Sequence, residues 1–298
     1  MSRSLLSRFG VVLGLTFVGL AGCDMLPPAN NGDTTSTLRM SFEGLESLGE
    51  GFLYEGWLIV DGAPISSGRF AIDTDGMAMP SEFDIDTATA DASTTFVLTI
   101  EPEQNDPPEP SDTHVLAGDF NGSMAALTIG HAAALNDEFA DANGTFILNT
   151  PTTADTDDDF DQGIWWLEVT DNGMIASLNL PTLPAGWAYE GWVVGDDGPM
   201  STGRFTNVDA ADDDGAGATA GPDGFPPFPG QDLIDPAVML VGHAAVISVE
   251  PDPDDSPAPF ALKPLIDMDI EDVGIGVSQD MANQSANNPT GMVEFEAS

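Results

Sequence analysis

The sequence contains an internal repeat, which limits the folds open to this chain more than any other feature. Residues 54–70 read YEGWLIVDGAPISSGRF and residues 189–205 read YEGWVVGDDGPMSTGRF, so ten of seventeen positions are identical at an offset of 135. A second block, residues 97–102, matches residues 246–251 at an offset of 149. A period this long indicates two copies of a whole domain and excludes a solenoid of short repeats.

The repeated segments have the pattern of short β-strands. Residues 58–60 and 192–194 are β-favouring runs, each followed at once by Asp and Gly and then by Ser-x-Gly-Arg-Phe, which is typical of a hairpin. Residues 96–100 and 245–249 are further apolar runs that end at Glu-Pro, where proline removes a ladder donor. The pattern predicts an all-β fold with two tandem β-sandwich domains of similar topology. Each copy is expected to close with its own final strand, at residues 144–148 and 291–295.

The N-terminal residues have the features of a lipoprotein signal peptide. Arg3 and Arg8 precede an apolar run at residues 10–20, and Leu-Ala-Gly-Cys follows, with the chain's one cysteine at Cys23. We therefore expect lipidation of Cys23 and an extracytoplasmic protein anchored to the membrane of the cell envelope. The predicted organisation is a signal peptide (1–22), a flexible tether (23–37), the first β-sandwich repeat (38–150), an acidic linker (151–163) and the second repeat (164–298).

The charge balance narrows the classes of partner. The chain has 50 acidic and 6 basic residues, which gives a formal net charge of −44. Nucleic-acid binding is excluded, because phosphate contact needs clustered Lys and Arg. A composition this acidic is also a habit of halophile proteins.

One acidic and one basic residue recur together in the two copies. Glu55 precedes Arg69 by fourteen residues, and Glu190 precedes Arg204 by the same spacing. We expect a cross-strand ion pair in each hairpin, which requires an odd number of residues in the loop. A three-residue loop, 61–63 or 196–198, would satisfy this. A solvated arginine on an acidic surface is the alternative.

The repeat motif resembles the extracytoplasmic domain of anti-sigma-K-type factors. The resemblance lies in Tyr-Glu-Gly-Trp, the following Ser-x-Gly-Arg-Phe and the strand that ends at Glu-Pro before a Pro-rich loop, and it covers most of residues 38–298. The motif residues are Tyr54, Glu55, Trp57, Gly68, Arg69, Phe70, Tyr189, Glu190, Trp192, Gly203, Arg204 and Phe205. The resemblance implies an envelope sensor or interaction module. Family members carry a sigma-binding region and a transmembrane helix before this domain, and no second apolar run of that length occurs here, so we expect no direct sigma-factor contact.

The sequence offers no catalytic motif. There is no Gly-x-Ser-x-Gly and no His-Glu-x-x-His, and Glu101 and Glu250 recur in separate copies, so an acid/base hydrolase is disfavoured. We expect a non-enzymatic envelope lipoprotein without a cofactor, whose partner is an unknown envelope protein or glycan.

The alternative is a calcium-dependent adhesin or glycan-binding surface lipoprotein. Carboxylates spaced as in a calcium loop give weak candidate ligands: Asp155, Asp157, Asp159, Asp209, Asp212 and Asp214. Trp57 and Trp192 recur within strands and are expected in the core. Any exposed aromatic surface for sugar binding is expected in the second half, at Trp165, Trp166, Phe225 and Phe228.

Overall fold

The computed structural model describes residues 35–153, 158–213, 215, 226–253 and 256–296, and these residues form an all-β fold. The predicted all-β class is therefore confirmed, with sandwich-like layers of antiparallel sheet. Cys23 and the rest of the signal peptide, together with most of the tether, lie outside the described residues. The helical elements are α1 (Thr87–Ala92), which Asp86 caps, and two 3₁₀ turns, Phe160–Gln162 and Ser285–Asn287.

The first copy is built on one nine-stranded antiparallel sheet. Its strands are β1 (Thr35–Glu43), β2 (Phe52–Val60), β3 (Ala63–Ile72), β4 (Ala78–Met79), β5 (Glu82–Asp86), β6 (Ser93–Pro102), β7 (His114–Asp119), β8 (Met124–Thr128) and β21 (Thr290–Phe295). They are arranged in the order β4-β3-β2-β6-β7-β8-β21-β1-β5. Because β4 and β5 stand at opposite ends of this order but only two residues apart in the chain, the sheet curls round on itself and encloses the core.

The second copy divides the corresponding strands between two sheets. Its strands are β9 (Asn143–Leu148), β10 (Gly163–Trp165), β11 (Leu167–Thr170), β12 (Gly173–Ala176), β13 (Leu178–Asn179), β14 (Trp187–Gly195), β15 (Gly198–Phe205), β16 (Gly230–Asp232), β17 (Ala244–Pro251), β18 (Leu265–Asp267), β19 (Gln279–Asp280) and β20 (Ala282–Asn283). One sheet has the order β15-β14-β17-β18-β20, and the other has β13-β9-β10-β16 with β19 also paired to β9. Strands β11 and β12 form a separate hairpin.

The two copies share one strand order and one register. In the first, β3-β2-β6-β7-β8 leads through β21 to β1 and β5; in the second, β15-β14-β17-β18-β20 leads through β19 and β9 to β10 and β16. Equivalent positions pair alike, since Tyr54 lies opposite Ile100 in the first copy and Tyr189 lies opposite Val249 in the second. The duplication seen in the YEGW segments therefore extends to strands that have no obvious sequence match.

The two closing strands are exchanged between the copies. Strand β9 lies at the end of the first repeat, and among the described strands it pairs only with those of the second copy. Strand β21 inserts between β1 and β8 of the first copy. The prediction that each copy closes with its own final strand is wrong. The predicted limits 38–150 and 164–298 stay a prediction about the repeat units, and neither unit completes its sheet without a strand from the other.

One continuous apolar core runs through both copies. Its largest fully buried side chains include Tyr54, Phe70, Phe96, Trp166 and Tyr189. Phe139, from the first copy, meets Tyr189 of the second edge to face, with ring centroids 6.5 Å apart. Burial of apolar area is the main favourable term in folding, so a shared core predicts that the copies unfold together.

Candidate functional site

The repeated tyrosines are core residues held by the same bond in each copy. The Tyr54 hydroxyl donates to the carbonyl of Glu46 (3.0 Å) and the Tyr189 hydroxyl donates to the carbonyl of Pro181 (2.6 Å), which is the equivalent position. Each ring stacks on the phenylalanine that ends the motif, Phe70 at 5.8 Å and Phe205 at 5.7 Å. Burial raises the pKa of both tyrosines above its usual value. Neither hydroxyl is available to a ligand.

The repeated tryptophans begin a buried hydrogen-bond chain. Trp57 Nε1 donates to Thr99 Oγ1 (2.9 Å), and Thr99 in turn donates to Glu101 Oε1. In the second copy, Trp192 Nε1 donates to Ser248 Oγ (2.8 Å), which donates to Glu250. The core positions predicted for Trp57 and Trp192 are confirmed.

The glutamates at the strand ends organise the loop that follows. A backbone N–H ten residues downstream donates to each carboxylate: Ser111 N to Glu101 Oε1 (2.8 Å) and Phe260 N to Glu250 Oε1 (2.9 Å). Both side chains are fully buried. A buried polar group must be hydrogen-bonded to be tolerated, and these bonds fix the Pro-rich loop to the sheet.

The expected cross-strand ion pairs are present. Arg69 Nε lies 3.7 Å from Glu55 Oε2, and Arg204 Nε lies 3.7 Å from Glu190 Oε2, with each pair directly opposed in register. The predicted three-residue loops are wrong, because the turns have two residues, 61–62 and 196–197. A bulge at Ser67 and Thr202 supplies the extra residue that returns Glu and Arg to the same face.

The motif glycines sit at these bulges and cannot carry a side chain. Gly68 has φ +129° and Gly203 has φ +102°, a region that L-residues rarely adopt. A Cβ at Gly68 would lie 2.3 Å from the Phe83 ring, and one at Gly203 would lie 2.3 Å from the Asp212 carboxyl carbon. The glycine in Ser-x-Gly-Arg-Phe is therefore needed for close packing.

The first copy places two carboxylates beside one guanidinium. Besides Glu55, Arg69 faces Asp106 Oδ2 at 3.7 Å, and the charge of Glu101 also acts on Glu55. Burial raises the pKa of Glu55 despite a hydrogen bond from Ser66, and the nearby carboxylates add to that effect. Glu55 and Glu101 are almost inaccessible to solvent. Such a group can hold the hairpin to the neighbouring strand, but a substrate cannot reach it.

The prediction of an exposed aromatic surface in the second half is wrong for its two tryptophans. Trp165 and Trp166 have no exposed surface. Trp165 packs with Ile147 and Leu167 in a small separate core, with Phe228 against it, and its Nε1 donates to Asp232 Oδ1 (3.1 Å). Phe225 lies outside the described residues.

The structure describes three of the six candidate calcium ligands and does not bring them together. Asp159 precedes a 3₁₀ turn, Asp209 is exposed in a loop, and Asp212 Oδ2 accepts from Gly230 N (2.8 Å). Asp155, Asp157 and Asp214 lie outside the described residues. Among the residues that are described, no cluster of three or more His, Cys, Asp or Glu side chains could hold a metal ion. The calcium interpretation stays a prediction.

One opening lies where the two copies meet. A cavity of about 370 Å³ separates residues 46–52 of the first copy from residues 250–253 and 256–260 of the second. Leu48, Phe52 and Phe260 give it apolar walls, and Glu46 and Glu50 line it as well. No sequence motif marks this cavity, because its two sides are distant in the chain.

Glu46 connects the two sides of this cavity electrostatically. Burial raises the pKa of its carboxyl group, and Lys263 of the second copy partly offsets that rise. Lys263 is itself held by donating to the carbonyl of Phe260 (2.6 Å). The cavity therefore combines an apolar interior with acidic groups.

Comparison with known proteins gives no relative: no protein family, curated protein or solved structure matches the chain. In the part of the chain that the structure describes, no helix has the length and apolar character needed to cross a membrane.

Proposed function

We propose that this protein is a non-enzymatic lipoprotein of the cell envelope, anchored through Cys23, and that its duplicated β-domains form an interaction or sensing module. The observation that carries the anchoring is the position of the one cysteine in the sequence, directly after an apolar run and Leu-Ala-Gly. The resemblance of the repeat motif to anti-sigma-K-type extracytoplasmic domains supports the assignment to the envelope.

The use of the repeated residues supports a non-catalytic role. The glutamates that recur are Glu55, Glu101, Glu190 and Glu250, and all four are buried in ion pairs or hydrogen bonds that maintain the hairpins. A general acid or base must reach the proton it transfers. The repeated residues therefore maintain the fold of each copy. A partner would bind at surfaces where the copies differ or where they meet.

The cavity at the junction of the copies is the surface that we assign to a partner. Its apolar walls and its lining glutamates, Glu46 and Glu50 among them, fit a protein segment that offers an apolar side chain next to a basic one. A negative net charge of this size would also attract a basic partner at a distance.

Anchoring is tested by labelling cells with an alkyne fatty acid. Wild-type protein is expected to incorporate the label and to sediment with membranes, and Cys23→Ala is expected to lose both properties. Equal labelling of the two proteins would contradict the proposed anchor.

Partner binding is tested by placing a photo-crosslinking amino acid at Leu48, in the cavity, and at Ile175 as an exposed control. A specific adduct is expected from Leu48 alone, and Glu50→Lys in the same protein is expected to weaken it. An adduct pattern that is the same at both positions would contradict the assignment of the cavity.

A further inference from the structure

We propose that this chain associates with a second copy of itself by strand exchange, with β21 of one molecule closing the first sheet of another. The proposal goes beyond the envelope function and does not depend on the anchor. It begins from the pairing described above, in which neither copy closes on a strand of its own. The first sheet already takes its closing strand from the other copy. Strand β21 would make the same contacts with that sheet whether it came from the same chain or from a second molecule.

The contacts of β21 in the first copy form a complete and self-contained set. It pairs with β1 over six residues and with β8 over five. Val293 and Phe295 point into the core, where Phe295 stacks on Phe120 at 5.3 Å, whereas Met292 and Glu294 are exposed. An amphipathic strand of this kind brings its own register and its own apolar face.

The connection to β21 is short, and it is the segment whose path would differ between the monomer and the strand-exchanged dimer. Residues 284–289 link β20 of the second copy to β21 in the first. Asn283 and Asn288 fix this link by donating to carbonyls of Phe139, Ala142 and Glu138. Exchange between molecules keeps the β21 contacts and changes only this link, which is why swapping of an identical element is a low-cost route to a dimer.

One pair of equivalent positions, Glu294 and Ile147, determines that β21 enters the first copy and β9 enters the second. Glu294 lies opposite Arg39 on an exposed face, whereas the equivalent Ile147 lies opposite Trp165 in the small core of the second copy. Insertion of β21 into the second copy would bury the Glu294 carboxylate against Trp165 and Leu167. Burial of an unpaired charge in an apolar site is strongly unfavourable. Exchange between molecules is therefore directed: β21 enters the first sheet only.

The test uses thiols at the opposed pair Arg39 and Glu294. Two tagged forms of the full chain, one with Arg39→Cys and one with Glu294→Cys, are co-expressed in a Cys23→Ser background, so that no other thiol is present. They are then purified and oxidised. Both positions are on the exposed face of the sheet, so the variants are expected to fold. A chain that carries both substitutions tests whether β1 and β21 pair within one molecule. The two cysteines would then be opposed and close enough to form a disulfide.

Exchange predicts a disulfide-linked dimer at twice the monomer mass that carries both tags. The matched control combines Arg39→Cys with Thr290→Cys, which lies four residues out of register, and is expected to give no such dimer. If the double variant closes its disulfide within one chain and the co-expressed pair gives no more dimer than the control, the proposal is wrong. If the double variant forms no disulfide either, the placement of β21 beside β1 is itself overturned.

Discussion

Glu55 and Arg69 lie directly opposite each other across the hairpin of β2 and β3, although only two residues form the turn between these strands. The bulge at Ser67 corrects the register, and Thr202 does the same for Glu190 and Arg204. Arg69 is also held from the neighbouring strand, since its Nη2 donates to the carbonyl of Pro102. The ion pair therefore links three strands.

The first prediction concerns this ion pair. Arg69→Met leaves the buried Glu55 carboxylate without its cation, and we expect the free energy of unfolding to fall by about 3 kcal/mol. Arg39→Met removes the same charge from an exposed site and is expected to cost about 1 kcal/mol or less. Urea denaturation measures both. Equal losses would mean that the Glu55–Arg69 pair contributes nothing beyond net charge.

The second prediction concerns Gly68. Gly68→Ala combines a strained φ with a clash against the Phe83 ring, and we expect it to cost about 3 kcal/mol or more. Gly62→Ala also has a positive φ, +79°, but no atom lies within 4 Å of the new Cβ, so it should cost only about 1 kcal/mol. Thermal melts of the two variants compare strain alone with strain plus clash. Similar melting temperatures would contradict the role assigned to Phe83.

The third prediction concerns the pH dependence of stability. Burial raises the pKa of Asp232, although Thr152 and Trp165 donate hydrogen bonds to it. The folded state therefore holds this proton more tightly than the unfolded state, so its contribution to stability grows as the pH falls and is lost as the pH rises through the folded pKa. Urea denaturation at a series of pH values measures this effect. Asp232→Asn should show a smaller gain in stability than the wild-type protein as the pH falls toward the ordinary pKa of a carboxyl group.

The control for this measurement is Asp280→Asn, because Asp280 is exposed. This variant removes the same charge and should keep the slope of the wild-type protein. An unchanged slope in Asp232→Asn would show that the buried carboxyl group does not contribute to it.

The fourth prediction concerns the two tryptophan chains. Trp57→Phe and Trp192→Phe each remove one buried hydrogen bond, to Thr99 and to Ser248, and each should cost about 2 kcal/mol. Because the copies share one core, either variant should shift a single unfolding transition. The double variant should show the sum of the two losses within about 0.5 kcal/mol, since the sites share no partner. Two resolved transitions in either single variant would contradict the shared core.

The sequence was sufficient to predict the parts of the fold that are local. Hairpins depend on neighbouring residues, so the runs at 58–60 and 192–194 and their turns predicted the strands correctly. The opposition of Glu55 and Arg69 was also predictable, but the bulge was not, because Ser67 has no property that marks it before the packing of Gly68 against Phe83 is known.

The parts that could not be predicted depend on contacts between distant segments. Nothing local tells whether residues 291–295 pair with the nearest copy or with the other one. Glu294 and Ile147 carry that information, but only when Arg39 and Trp165 are known to lie opposite them. The burial of Trp165 and Trp166 could not be predicted for the same reason. Ile147 and Phe228 pack against Trp165 from distant parts of the chain, and Phe146 lies against Trp166.

The placement of β21 also sets the order in which a newly made chain can fold. Strand β1 leaves the ribosome early, but its neighbour β21 is made only after both repeats have been synthesised. The first sheet therefore cannot close until β21 has been synthesised, and closing so long a loop is slow. Mutations in residues 290–295 should therefore disrupt the pairing of β1 and β8 with β21, although β1 and β8 are synthesised before the second repeat.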